Sequence, residues 1–159
     1  MYSPVVAGMP ALPVSDWQNA AKLIDHTLLK PDATRNQVAT LCREAVHYGF
    51  HAVMVNPVNV ALATTLVRGT AVKVGTVVGF PLGANLTITK LVEAETALCQ
   101  GAHELDMVMN IGALKSGQRV LVQSEIRSLT QLAHRHGAVL KLILENALLS
   151  PEEKILACA

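Results

Sequence analysis

Apolar runs of strand length alternate with helical segments along this chain, and that alternation limits the available folds more than any other feature. The runs cover residues 22–28, 51–56, 72–80, 104–110 and 138–145. Between them the spacing predicts helices. Residues 34–48 open on a Thr34/Gln37 capping box and place Val38, Leu41, Cys42 and Ala45 at helical intervals. Residues 58–67 and 89–100 are further helices, the second ended by Gly101, and residues 118–136 form a longer one ended by Gly137. A short lead-in helix is expected at 16–21. Ser150, Pro151 and Glu153 carry the cap, first-turn proline and capping-box acid of a last helix over 151–159.

Strict alternation of strand and helix requires a parallel sheet with right-handed crossovers. The composition agrees. Hydrophobic residues are 51% of the chain and charged residues 16%, so the sequence can build a large core. With only one Trp, two Tyr and two Phe, that core rests on Val, Leu, Ile and Ala, as in sheets covered by helices. The fold class is α/β, and two architectures fit: an open doubly wound sheet or a (β/α)8 barrel. A doubly wound sheet usually carries a Gly-rich turn after its first strand. Here the first strand runs into HTLLKPDAT, which has no glycine.

Strand polarity separates the two further. On the fourth strand Glu104, Asp106, Val108 and Asn110 share one face, opposite Leu105, Met107 and Met109. On the fifth, Lys141, Ile143 and Glu145 oppose Leu140, Leu142 and Leu144. On the first, Asp25 and Thr27 lie opposite Ile24 and Leu28. One greasy face and one charged face is the pattern of a barrel with a site inside it. An isolated buried charge is very costly, so Asp25, Asp106, Lys141 and Glu145 must pair with one another or with a ligand. A register-fixing ion-pair network is the bland reading. Four ionisable groups converging at strand ends favour chemistry. Asp106 suits general acid/base work beside an ammonium. Lys141 suits an electrostatic partner better than a Schiff-base nucleophile, which needs a depressed pKa.

Weaker candidates accompany these. Gly79-Phe80-Pro81-Leu82-Gly83 suits a tight loop at the catalytic face. Lys30 and Lys115 fall in loops after the first and fourth strands, where solvation alone explains them. His26 either bonds within the core or faces substrate. A net charge of +1 gives no basis for nucleic-acid or membrane binding. Cys42, Cys99 and Cys158 are read as buried free thiols of a reducing compartment, and the six histidines show no metal-ligand spacing. Residues 1–15 carry three prolines and no Lys or Arg, so they read as the tail of a cytoplasmic protein rather than a secretory signal.

With these residues in place, the chain resembles deoxyribose-phosphate aldolase, a class I aldolase family with a (β/α)8 barrel of the TIM type. The resemblance spans about residues 22–159 and rests on IDHTLLKPDAT (24–34), VNP (55–57), VGTVVGFPLGA (74–84), GAHELDMVMNIGALKSG (101–117) and LKLILE (140–145). It implies reversible cleavage of 2-deoxyribose 5-phosphate to acetaldehyde and glyceraldehyde 3-phosphate through a lysine Schiff base. It also implies no cofactor and no metal, a phosphosugar as the partner, and leaves a homo-oligomer open. Asp106 and Lys141 match catalytic positions, Asp106 as the proton-relay aspartate. Asp25 and Thr27 match substrate-side residues, and Glu145 is placed with them.

Met54 stands where members often have Cys, and Asn146-Ala147 follow Glu145 where Thr plus a small residue is usual. The family's KTSTG-like segment, which bears the Schiff-base lysine, and the strand-seven lysine are not in the sequence. Residues 16–159 are therefore expected to be an incomplete barrel domain of about five βα units, where a full barrel takes about 250 residues. The expected consequence is inactivity alone. The alternative is a non-catalytic product that binds or regulates a complete aldolase subunit. Another Schiff-base barrel aldolase is a third reading, disfavoured by GFPLGA and HTLLKPDAT.

Overall fold

The computed structural model describes residues 20–159. The expected tail over 1–15 and most of the lead-in helix lie outside them; Ala20 and Ala21 form a last helical turn. The order is β1 (Asp25–Leu28), α1 (Arg35–Tyr48), β2 (Ala52–Val55), a 3-10 turn (Pro57–Asn59), α2 (Val60–Leu66), β3 (Lys73–Val78), α3 (Thr87–Cys99), β4 (Glu104–Val108), α4 (Ile111–Lys115), α5 (Arg119–Arg135), β5 (Val139–Ile143), a second 3-10 turn (Asn146–Leu148) and α6 (Pro151–Ala157). All five strands are parallel and lie in chain order, β1-β2-β3-β4-β5. Each expected strand appears, trimmed at its ends.

Local signals explain most boundaries. Thr34 caps α1 in the expected capping box with Gln37, and Gly49 ends it at φ 69°. Ser150 and Glu153 form the second capping box, at α6. Other boundaries differ from the sequence reading: the helix expected at 58–67 begins as the 3-10 turn, and its α part starts at Val60. Helix α3 starts at Thr87, two residues early. Lys115 is not in a loop but ends the short helix α4, which Asn110 caps by accepting from the Ala113 N–H at 3.0 Å. Gly112 and the five-residue length of this helix hid it.

Outward strand side chains pack under the helices. Val53, Val55, Val74, Leu105 and Met107 are buried with Val38, Leu41, Ala45, Ala94, Leu129 and Leu132 of the helices. Burying each such aliphatic side chain contributes about 1.5–3 kcal/mol. The strand edges are less covered: β2 is buried throughout, whereas every β5 residue is partly exposed. Of the cysteines, only Cys42 is buried, its thiol pushed up in pKa by that burial. Cys99 and Cys158 are free but exposed, correcting the expectation of buried thiols; both lie at helix C-terminal ends turned to solvent. No helix among the described residues is long and apolar enough to cross a membrane.

The sheet curls strongly. In a flat sheet β1 and β5 would stand about 19 Å apart, at about 4.8 Å per strand. Yet Lys141 on β5 reaches Asp25 on β1 at 2.8 Å. The strands therefore form an arc of a TIM-type barrel, with their second face turned inward, which excludes the open doubly wound sheet.

Candidate active site

The inner face is built by register. Asp106 pairs with Lys141 across β4 and β5, so both side chains project to the same side. Gly75 pairs with Glu104 across β3 and β4, and Met54 with Gly75 across β2 and β3. A Cβ on Gly75 would come within 2.2 Å of Met54 Sδ and 3.4 Å of Glu104 Cβ, which puts these three on the same side as well. Ala52, Met54 and Val77 are buried without joining the helix-facing core.

Lys141 is the hub. Its Nζ lies 2.8 Å from Asp25 Oδ2, 3.0 Å from Glu104 Oε2 and 3.2 Å from Asp106 Oδ1. Glu104 turns its other oxygen to His51, with Oε1 at 2.7 Å from Nε2. Burial alone would lower the lysine's pKa, but the hydrogen bonds to Asp25 and Glu104 and the charge of Asp106 outweigh it, so its pKa stands above that of an ordinary lysine. The ammonium is thus held charged, the opposite of what a Schiff-base nucleophile requires.

Asp106 differs from its neighbours. Its Oδ1 is within ion-pair reach of Lys141 but off the hydrogen-bonding direction, leaving that buried oxygen without a hydrogen-bond partner. Burial raises its pKa, Lys141 pulls it back, and the charges of Asp25 and Glu104 raise it further, for a net rise. A half-buried carboxyl with a raised pKa and a buried oxygen lacking a hydrogen-bond partner suits a group that takes up and releases a proton.

The remaining expected residues fall at different distances from this hub. Thr27 is exposed, its hydroxyl donating to the Asp25 carbonyl at 2.8 Å. Glu145 lies beyond the end of β5, exposed, in a left-handed conformation at φ 54°. Its side chain makes no ion pair or hydrogen bond among the described residues, so it stands outside the charged cluster it was expected to join. The chain turns at Glu145 into the 3-10 segment, which carries the side chain off the strand face. His26 faces helix α1, 2.8 Å from Glu44, rather than the interior. Lys115 is bound to Glu153 and the Leu148 carbonyl, both at 2.7 Å.

Glu104 and His51 went unassigned in the sequence. Glu104 shares the parity of Asp106, which was the available signal; His51 precedes β2 and gives none. Asp25, His51 and Glu104 offer ligand atoms within 4.8 Å of one another, a set with the chemistry to hold a cation. The Lys141 ammonium already stands between two of them.

A family model described as DeoC/LacD family aldolase matches residues 19–155. The deoxyribose-phosphate aldolase of Geobacillus sp. is 54% identical over 140 residues, covering 88% of this chain and 62% of that protein. That of Aciduliprofundum boonei is 51% identical over 143 residues, covering 90% and 64%. The chain thus spans under two thirds of the length of these curated relatives. A solved structure from Coccidioides immitis superposes with a TM-score of 0.87 at 40% identity, covering 92% of this chain and 57% of that one. The deoxyribose phosphate aldolase of Aeropyrum pernix, described as a tetramer, gives 0.80 at 39% identity, covering 87% and 57%. On the family match, which takes in nearly the whole of the described arc, this chain belongs to the DeoC/LacD family of aldolases.

Proposed function

We propose that this chain carries the proton-handling half of a deoxyribose-phosphate aldolase site. The reaction is the reversible cleavage of 2-deoxyribose 5-phosphate to acetaldehyde and glyceraldehyde 3-phosphate. An imine formed on a lysine outside these residues accepts the electron pair of the breaking C–C bond. The hydroxyl beside that bond gives up its proton as it becomes the aldehyde carbonyl. Asp106 is the base for that proton, by way of a water. Lys141 keeps a positive charge beside it, Asp25 and Glu104 hold Lys141 in place, and Thr27 lies towards the substrate.

The observation that carries this reading is the Lys141 ammonium shared among three carboxylates, of which Asp106 alone has a buried oxygen without a hydrogen-bond partner. On this reading the 159 residues do not cleave substrate alone. Joined to the C-terminal portion of the Geobacillus relative they do, and borohydride with acetaldehyde then traps a lysine outside them. Asp106→Asn in the joined chain lowers kcat by about 10²–10⁴. An acetaldehyde adduct on Lys141, or an Asn variant as fast as the parent, would refute the assignment.

A further inference from the structure

The most deeply buried charge in the described chain plays no part in the mechanism above. Lys90 on α3 is 0% exposed, and Glu125 on α5 is 2% exposed. Lys90 Nζ donates to Glu125 Oε1 at 2.7 Å and to the Val108 carbonyl at 2.9 Å. Glu125 Oε2 accepts from Thr87 Oγ1 at 2.9 Å. Replacing a buried ion pair by packed apolar residues is often neutral or stabilising, so its stability alone does not account for it.

Its position does. The β3–β4 ladder ends at Val78↔Met107, where β3 turns away at Gly79, while β4 continues to Val108. Lys90 supplies the donor for the Val108 carbonyl at this point. Its aliphatic stem lies against Gly79, where an added Cβ would be 2.8 Å from Lys90 Cε. One turn on, Glu93 Oε2 accepts from the Gly79 N–H at 2.7 Å. Helix α3 therefore grips the C-terminal ends of two adjacent strands, one of which bears Asp106 two residues earlier. On its other side the strand end pairs with β5 as far as Val108↔Ile143, and just beyond it the Met109 N–H donates to the Ile143 carbonyl at 3.1 Å.

We propose that Lys90 and Glu125 are positioning residues, a buried pair that holds the end of β4 and so keeps Asp106 in register with Lys141. This rests on the role assigned to Asp106, but the test is read on the chain itself, without substrate. Lys90→Met/Glu125→Leu removes both charges and keeps the bulk. Its Tm should equal or exceed the parent's. Despite that, the Asp106 carboxyl, followed by carbon NMR, should titrate closer to an ordinary aspartate, and the Met109 amide should exchange at least tenfold faster. Thr87→Val, which removes only the Oγ1 hydrogen bond, should move both readouts the same way by less, and decides the matter if the double variant does not fold. A folded variant with both readouts unchanged overturns the proposal. A chain that shows both shifts but, joined to the missing portion, cleaves no substrate would overturn the aldolase reading alone.

Discussion

Lys141 and Asp25 lie 116 residues apart, on the first and last strands of the sheet, yet their charged atoms are 2.8 Å from one another. That contact crosses the concave side of the arc and ties its two edges by a single ion pair. Glu104 and Asp106 reach the same ammonium from β4, so one cation offsets three carboxylates.

Lys141→Met should therefore destabilise the chain at neutral pH by about 1–2 kcal/mol, the lower part of the range for a broken ion pair because the lysine is 38% exposed. The pKa of Lys141 is raised in the folded chain above its ordinary 10.5, so its contribution is complete below that value and is lost only as pH rises beyond it. At neutral pH the full contribution is present. In acid Asp106, whose pKa is raised, takes up its proton and leaves less negative charge uncompensated, so the deficit shrinks. Urea midpoints of parent and variant at pH 7 and pH 4 check this; a deficit that grows in acid would contradict it.

Asp106 has the opposite sign. Its pKa is raised above the ordinary 3.8, so the folded chain keeps this proton to higher pH than the unfolded one. The stabilisation from Asp106 is complete below 3.8 and declines as pH rises through the raised value. Asp106→Asn has no proton to lose. The stability of the variant relative to the parent should climb from pH 4 towards neutrality, measured by urea unfolding at several pH values. A difference that stays level across that range would show that the carboxyl is not held protonated by burial.

Parity along a strand made the inner cluster legible: Asp25, Asp106 and Lys141 were readable because residues two apart share a face. Glu104 obeyed the same rule. The Lys90–Glu125 pair escaped because both residues sit in helices that read as amphipathic. The signal was present. Lys90 lies on the buried stripe with Ala94, Ala97 and Leu98, and Glu125 on the stripe with Val122, Leu129 and Leu132. Opposite charges on the apolar stripes of two helices in one layer imply a buried pair. Glu145 was misplaced with the cluster for a different reason, since parity holds only while the strand lasts, and β5 ends at Ile143.

Met54 and Gly75 make a matched pair on the inner face. A Cβ at Gly75 would be 2.2 Å from Met54 Sδ, but the obstacle is a flexible thioether rather than backbone. Gly75→Ala should cost about 1–3 kcal/mol, the usual range for overpacking. Shortening the neighbour should relieve it, so the same substitution in a Met54→Cys background should cost less than half as much. A double-mutant cycle in urea measures the coupling. Equal costs in the two backgrounds would mean that the thioether is not what fills the space.

Gly83 offers no such escape. It adopts φ +67°, and a Cβ there would be 2.1 Å from the Met109 carbonyl oxygen and 2.9 Å from Val108 Cγ1. Its own N–H closes the loop on the Gly79 carbonyl at 2.8 Å. A substitution therefore meets two obstacles at once: left-handed backbone strain of about 1–2 kcal/mol, and a clash with backbone of β4's end that cannot rotate away. Gly83→Ala should destabilise by about 2–4 kcal/mol, more than Gly75→Ala despite adding the same methyl group. The loop would have to lift from Met109, so the damage should spread to the strand end that Lys90 holds. Hydrogen exchange resolves this: the Met109 amide should lose protection in the variant, while the Val53 amide on β2 and the Val74 amide at the opposite end of β3 keep theirs. Loss spread evenly over all five strands would instead indicate general destabilisation, with no special tie between the 79–83 loop and the end of β4.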